Sequence, residues 1–450
     1  MEHSKVNNQW INLVVILTII LNTFGAPLSR LTHIPSIVFT GIPVVLLGGI
    51  AYFITNGKMV VKKEIRVYLC IICLTLLIHT LKSVFKPEIG FGDYELKYVI
   101  YFFIFILGTV VLGEENFKAV EISFIGISLF LSVDAIMHVR EITSQGLGIY
   151  NVMNVTLLDK SYYTCMLSLS VVFLVVDFFS ERKNLTIIKK SLIFCCIILF
   201  TAVDLIIAQS KLFLMVLATT GLFLIIFSKG SQRKKVIWAL LLAIFAVILV
   251  FSVRPDWIPE YVYIFLYRTF GLFEDVISNM PRYHRMTSTY RTRNVIYEYA
   301  FQLFFENPLV GIGFGNYKVY AAENVALGGV FQTESSYLGI LVEGGLFYAT
   351  VHFAFLFKLF INTVKGVKKC AQSDIFYKLL FGITGYIVLN SGNDFYNSTY
   401  WLILAFVYNI TTTRLKREKA CVINRKGIGD RTNETVIYSG RFQVETGYRR

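Results

Sequence analysis

Charged residues, histidine and cysteine are all scarce in this sequence. Charged residues make up 16% of its 450 positions, whereas a soluble domain has about a quarter. None of the 6 histidines falls in an HExxH or similar spacing, so metal-dependent hydrolysis has no support. Most of the 7 cysteines lie in apolar runs, where a thiol acts as a small hydrophobic group. These shortages exclude a soluble disulfide scaffold.

Apolar and aromatic residues are present in excess. Hydrophobic residues reach 55%, aromatic residues reach 15%, and the mean hydropathy is +0.62. Such a composition excludes a disordered or collagen-like chain and suits a protein surrounded by lipid, with rings at the membrane interfaces. We therefore predict an all-α polytopic membrane protein.

About 12 transmembrane helices are expected, because a helix needs about 20 mostly apolar residues to cross the hydrocarbon core. The first span follows a short head and could be read as a cleaved signal peptide, but the many spans behind it favour a retained helix. The candidate spans lie near residues 9–24, 34–54, 67–84, 97–113, 119–137, 161–179, 191–208, 211–228, 236–253, 337–360, 376–391 and 398–411.

The net charge of +14 is explained mainly by topology. Lysine and arginine cluster in alternate short loops, near 58–66, 182–190, 229–235 and 365–369, and again in the tail from residue 412. Because cytoplasmic loops carry the excess of basic residues, we expect both termini to be cytoplasmic. The basic surfaces indicate contact with membrane lipid, and nucleic acid is not an expected partner.

One connection, residues 254–336, is much longer than the others and falls outside the cytoplasm in this topology. It contains no cysteine, and its aromatic start, Trp257–Arg268, is expected to lie along the interface. A helix is predicted over 292–306, ending at Asn307–Pro308. The glycines at 311, 313 and 315 suggest a nucleotide loop only weakly, since no strand or Gly-Lys-Ser/Thr accompanies them; a tight turn against the membrane is favoured.

Arg291 and Arg293 precede this helix and could clamp a phosphate or pyrophosphate, because a guanidinium group offers a fork of donors to such oxyanions. A solvated surface pair or a lipid headgroup contact explains them equally simply. Glu334, at the outer mouth of the next span, fits either a general base or an acidic residue near a helix N-terminus. Glu343 is expected to pair or pack within that span.

Ser210–Lys211 forms a very short outer turn between two predicted spans. Asp204 lies seven residues before Lys211, so an unbroken helix would place both on one face as a structural ion pair. The alternative is that Lys211 serves a substrate at the outer surface.

Taken together, these strings resemble the O-antigen ligase and repeat-unit polymerase superfamily of bacterial membrane glycosyltransferases. The family shows an arginine followed four residues later by an aromatic residue, then "enPl-GvG-Gn", "HNsyL" and "EGGl", with Ser-Arg at the head of an earlier span. The resemblance covers about residues 200–360. In the same order this sequence has Ser210–Lys211, Arg293 with Tyr297, Glu306–Gly313, Gly315–Asn316, Glu334–Leu338 and Glu343–Leu346.

The resemblance implies a fold similar to GT-C glycosyltransferases and three segments. These are N-terminal transmembrane helices (1–190), a ligase- or polymerase-like membrane domain (191–411, including the loop 254–336) and a basic cytoplasmic tail (412–450). It also implies a bacterial cytoplasmic (inner) membrane location. The expected activity is metal-independent, inverting transfer of a glycan from undecaprenyl pyrophosphate at the outer face, without a cofactor.

Residue roles follow from the same resemblance. In ligases, arginines engage the pyrophosphate and the histidine of the third string assists the acceptor. Here Arg293, with Arg291, matches the loop arginine, and Lys211 replaces the earlier arginine, keeping its charge but losing the fork. Glu334 occupies the histidine position, which argues against a lipid A-core ligase.

We therefore predict a polysaccharide repeat-unit polymerase for O-antigen, capsule or exopolysaccharide, with Glu334 and Arg293 as catalytic residues and Lys211 and Arg291 binding pyrophosphate. Its partners would be an undecaprenyl-pyrophosphate-linked oligosaccharide and a chain-length regulator. One alternative is a ligase that transfers the glycan to lipid A-core or a protein. Another is a flippase of lipid-linked oligosaccharide, although no internal repeat supports a two-halved transporter.

Overall fold

The structure, a computed structural model, is built from helices. It describes residues 8–58, 61–85, 93–145, 152–153, 155–158, 160–180, 185–227, 230–253, 283–324, 333, 335–369, 374–390 and 398–429. No strand occurs in these residues, so the all-α prediction is confirmed for them.

The helices follow the predicted spans closely along the chain. A 3₁₀ turn at Glu114–Asn116 precedes the fifth helix, and a π-helical segment at Val203–Ile207 extends the seventh. The helices are α1 (Asn8–Thr32), α2 (Ser36–Thr55), α3 (Lys63–Phe85), α4 (Asp93–Val111), α5 (Phe117–Ser144), α6 (Lys160–Phe179), α7 (Ile187–Ala202), α8 (Lys211–Phe227), α9 (Gly230–Val253), α10 (Tyr283–Glu306), α11 (Tyr317–Glu323), α12 (Ser336–Lys369), α13 (Asp374–Leu389) and α14 (Ser398–Gly429).

Among the described residues, six helices are long and apolar enough to cross a membrane. Three shorter apolar helices lie at Ile65–Leu81, Val99–Val111 and Lys211–Phe227. The protein is therefore a multi-pass membrane protein, while the count of about 12 spans stays a prediction. The six long helices are Asn8–Thr32, Ser36–Thr55, Glu114–Ser144, Lys160–Phe179, Ile187–Ile207 and Ser336–Lys368.

Large apolar side chains are exposed along the outward faces of several helices. Ile187 is 83% exposed, Val45 74%, Trp238 70% and Phe53 67%. In water such a surface would be an aggregation hazard, whereas lipid tails solvate it at no cost. The outer surface of the bundle is therefore matched to hydrocarbon.

The core is aromatic where α3, α4, α12 and α14 meet. Trp401 packs edge-on against Phe102 and Phe105, with ring centroids about 6 Å apart. Gly108 lets α4 approach α14 closely, since a Cβ atom on it would lie 2.8 Å from the Cβ of Ala405. Small residues at helix contacts are typical of membrane bundles, because close backbone approach replaces the missing hydrophobic drive.

A buried lysine, Lys378, joins three helices near the C-terminal end of α6. The Lys378 ammonium of α13 contacts the Glu121 carboxylate of α5 and lies 2.7 Å from that of Asp177 in α6. The Lys378 side chain is only 4% exposed. Charged side chains inside the bundle are tolerated when they pair with opposite charges. This triad therefore joins α5, α6 and α13 structurally.

The long loop and the tail depart from the predicted boundaries. Helix α10 ends at Glu306 as predicted but begins at residue 283, about two turns before the expected start at 292. The interfacial stretch Trp257–Arg268 lies outside the described residues. Helix α14 runs on to Gly429 without a break at residue 412, so the first part of the tail continues the last helix.

Candidate active site at a broken helix

Helix α12 is broken near its N-terminal end. Gly345 has φ 67° and ψ 180°, which no α-helix allows, yet helical residues continue on both sides. A break of this kind frees the carbonyl groups before it and the N–H groups after it. Inside a bilayer such groups must find partners in the protein.

The segment 308–313, between α10 and α11, supplies partners for four of these groups. The Ile312 and Gly313 N–H groups donate to the Val342 and Glu343 carbonyls, both at 3.0 Å. In return, the Leu346 N–H donates to the Pro308 carbonyl at 2.8 Å, and the Phe347 N–H to the Leu309 carbonyl at 3.1 Å. Two helical hydrogen bonds are thus replaced by four between the loop and the broken helix. We call segment 308–313 the patch loop.

Glycine is required on both sides of this contact. Gly311 has φ 75°, and a Cβ atom on it would lie 2.3 Å from the Glu343 carbonyl oxygen. Gly313 has φ 106° and Gly315 φ 75°, in the region that side chains disfavour. The Gly311, Gly313 and Gly315 pattern is therefore a tight turn packed against α12. Contact of this turn with the membrane stays a prediction.

Buried polar contacts fix α11 against the break. The Tyr317 N–H, in the first turn of α11, donates to the Glu343 carboxylate at 3.2 Å, and Glu343 is 5% exposed. The Tyr317 hydroxyl donates to the Ile296 carbonyl of α10 at 3.3 Å. Burial raises the pKa of the Tyr317 phenol above its usual range, and nearby Tyr299 and Glu343 add to the effect. The phenol therefore stays protonated and remains a donor.

His79, on α3, joins the patch loop to the membrane bundle. Its Nε2 lies 2.8 Å from the Val310 carbonyl oxygen, and its ring packs edge-on against Phe314 at 5.3 Å. A carbonyl can only accept, so the proton of this hydrogen bond sits on Nε2. The loop is held from two directions, by α12 and by α3.

Arg293 lies on α10, one turn before the buried residue Ile296 and on the same face as buried Ala300. That face packs against Leu338 and Val342 of α12, while Arg293 itself is exposed. The predicted clamp residue is thus carried by an element locked to the broken helix. Arg291 lies in the same helix, but its side chain and the whole of Glu334 fall outside the described residues.

Lys211 lies at a second, separate break, between α7 and α8. After the π-helical segment, Gln209 adopts φ 50°, and the Ser210 N–H turns back to the Asp204 carbonyl at 3.1 Å. The Ser210 hydroxyl then accepts from the Phe213 N–H at 3.3 Å and caps α8. The chain between Asp204 and Lys211 is not one unbroken helix, so helical spacing does not put their side chains on one face.

Two side chains at the start of α6 hold this break in place, and a third joins α6 to α5. Lys160 donates to the Gln209 carbonyl at 3.1 Å, and Thr164 donates to the Asp204 carboxylate at 3.1 Å. Tyr163 donates to the Asp134 carboxylate of α5. Asp204 is fully buried. We call Lys160, Thr164, Asp204 and the 209–211 turn the α6–α8 polar cluster.

Metal and thiol chemistry find little support in the described part of the chain. No group of three or more His, Cys, Asp or Glu side chains could hold a metal ion there. Cys70 and Cys73, which have CxxC spacing, are exposed free thiols on α3. Independence from metal stays a prediction.

Together, these features define a multi-pass helical membrane protein in which the loop between α10 and α11 completes a broken helix. Residues 195–353 match the family described as O-antigen ligase. That segment is therefore similar to the O-antigen ligase and polymerase superfamily, whose members are membrane glycosyltransferase-like enzymes acting on lipid-linked oligosaccharides. No curated protein matches the chain significantly.

The match confirms the resemblance and covers the α7–α8 break, α10, the patch loop and the broken part of α12. Sequence reasoning missed His79, the pairing of Asp204 with Thr164, and the contact from Lys160 to the turn. A lone polar residue in an apolar span was the available signal for His79. The positive φ of Gln209, which breaks the helix, could not be predicted from its residue type.

Proposed function

We propose that the protein is a polysaccharide repeat-unit polymerase of the bacterial cytoplasmic membrane, with both termini in the cytoplasm. It joins a growing glycan on undecaprenyl pyrophosphate to a lipid-linked repeat unit at the outer face. The observation that carries the proposal is the mutual fit of two family strings. The "ENPLVGIG" patch loop and the "VEGGL" break bind each other, and α10, which carries Arg293, packs on the same helix.

The chemistry is a single displacement at the anomeric carbon of the growing glycan. A hydroxyl oxygen of the acceptor sugar forms the new glycosidic bond, and the bond from the anomeric carbon to the pyrophosphate oxygen breaks with inversion. The lipid pyrophosphate leaves with the electron pair. Arg293, Arg291 and Lys211 stabilise its growing negative charge, and the Glu334 carboxylate takes the hydroxyl proton.

Glu334 is what favours a polymerase over a ligase to lipid A-core. The ligase string has histidine at this position, whereas this chain has a carboxylate in Glu334-Ser-Ser-Tyr-Leu. A carboxylate accepts a sugar proton, so transfer is retained while the ligase histidine chemistry is not.

A deletion strain complemented with variants tests the proposal. With wild-type protein we expect a full ladder of glycan chain lengths, and with Arg293→Ala or Glu334→Gln at equal protein level we expect single-repeat products. Arg140→Gln, which removes an exposed charge on α5, is the matched control and should give the full ladder. Long chains that accumulate on the lipid carrier in the deletion would instead identify a ligase.

A further inference from the structure

The α6–α8 polar cluster contains a cation that the family resemblance does not include. Lys160 begins α6, and its ammonium group reaches the Gln209 carbonyl, two residues before Lys211. Lys160 therefore contacts the turn that contains Lys211, although the two lysines are 51 positions apart in sequence. We propose that Lys160 is a second pyrophosphate-binding residue and that Asp204 and Thr164 position it. This inference rests on the proposed function, because it extends the Lys211 part of that site.

The position of Lys160 follows from helix geometry. Residues 160 and 164 lie four apart, so the two side chains share one face of α6. Thr164 donates to the Asp204 carboxylate from that face, and the Lys160 ammonium lies close enough to interact with the same charge. The wholly buried Asp204 carboxylate therefore orients the ammonium group of Lys160, an exposed residue.

The 209–211 turn itself has features that favour phosphate binding. The Ser210 hydroxyl caps α8, a helix of 17 residues, so the positive end of its dipole points toward the turn. Neither lysine alone offers the fork of an arginine. One ammonium group from α6 and one from the turn supply the pair of donors that the replacement of arginine by Lys211 removes.

Asp204 shows a second sign of a role beyond packing. Within the described residues its Oδ2 atom has no hydrogen-bond partner, although the residue is fully buried. Such atoms are rare in folded proteins, because an unsatisfied buried polar atom costs stability. Asp204 also lies within the π-helical segment, an irregularity common at functional sites.

The first test measures protection on the wild-type protein, purified in nanodiscs of phosphatidylcholine. Lysines are acetylated with and without inorganic pyrophosphate, and each site is quantified by mass spectrometry. We expect pyrophosphate to slow acetylation of Lys160 and Lys211 about tenfold and to leave exposed Lys118 unchanged. Equal reactivity of Lys160 with and without pyrophosphate overturns the inference.

A second arm separates the two sources of phosphate. Nanodiscs are prepared with added phosphatidylglycerol and without pyrophosphate. If the anionic lipid protects Lys160 as strongly as pyrophosphate does, the turn is a headgroup site and the inference is wrong. Protection by pyrophosphate alone supports it.

Variants then test positioning. Lys160→Gln should raise the KM for the lipid-linked donor about tenfold with kcat less affected, Lys160→Arg should restore it, and Arg140→Gln should change neither. Asp204→Asn keeps an acceptor for Thr164 but removes the charge, so its effect should vanish in the Lys160→Gln background. Additive effects of the two substitutions would contradict positioning.

Failure of this inference is distinguishable from failure of the proposed function. If the ladder depends on the protein but Lys160 is unprotected, only the Lys160 assignment is wrong. If Lys160 is protected but the deletion leaves the ladder intact, the polymerase assignment is wrong.

Discussion

Gly311 and Gly345 contact each other backbone to backbone. A Cβ atom on Gly311 would lie 2.6 Å from the Gly345 nitrogen, and one on Gly345 would lie 2.4 Å from the Gly311 nitrogen. Each glycine also has a positive φ, at 75° and 67°. The two family strings therefore depend on each other physically, since neither can take a side chain without displacing the other.

Gly345→Ala should destabilise the protein by at least about 2 kcal/mol, because it adds strain at a positive φ to a backbone overlap. We expect a lower midpoint of thermal unfolding and a smaller monodisperse fraction in detergent. Gly49→Ala is the matched control, since a Cβ atom there meets nothing within 4 Å. Equal stability of the two variants would show that the break tolerates a side chain.

Loss of the His79 contact should loosen the patch loop from α3. His79→Leu leaves the Val310 carbonyl without this donor and should cost about 1–3 kcal/mol. His79→Gln retains an amide donor and should recover much of the loss. Hydrogen exchange of residues 308–313 measures the effect locally. Unchanged exchange in His79→Leu would mean that α12 alone holds the loop.

Removal of Lys378 should be among the most damaging single changes. Lys378→Met leaves the Glu121 and Asp177 carboxylates together in the bundle, at a cost of about 3–5 kcal/mol. Adding Glu121→Gln and Asp177→Asn should recover stability, because the uncompensated charges are then gone. Lys118→Met, at an exposed position, is the control. A triple variant less stable than Lys378→Met would refute the charge explanation.

Tyr317→Phe should cost about 1 kcal/mol near neutral pH, through loss of the hydrogen bond to the Ile296 carbonyl. The pKa of Tyr317 is raised by burial in the folded protein, so its contribution is fully present below the unfolded pKa of about 10. It is then lost as the pH rises further, because only the unfolded state ionises at first. The stability difference between wild type and Tyr317→Phe should shrink above about pH 10. A difference independent of pH would contradict the assignment.

The helices could be predicted well from the sequence, because a helix surrounded by lipid requires a long run of apolar residues. Apolar runs marked the spans, and Asn307–Pro308 marked the end of α10, because proline cannot continue a helix. The start of α10 was wrong by about two turns, since a polar, Arg-rich stretch carries no comparable signal.

The candidate site was predictable only in its residue types. Residue type, glycine or charged, pointed to Gly311, Arg293 and Lys211. It did not predict that Val342 and Glu343 lose their helical hydrogen-bond partners. That break depends on long-range pairing with the patch loop, which local propensity does not contain. The contact from Lys160 to Gln209 could not be predicted for the same reason.

The broken helix also has a consequence for how the protein is made. Residues 308–313 leave the ribosome before residues 342–347, so the segment that completes α12 already exists when α12 enters the membrane. Until the two meet, four backbone groups of α12 face hydrocarbon, at several kcal/mol each. Insertion of α12 and folding of the patch loop are therefore one coupled step of biogenesis. A defect in the loop should be recognised by quality-control proteases as a failed membrane helix.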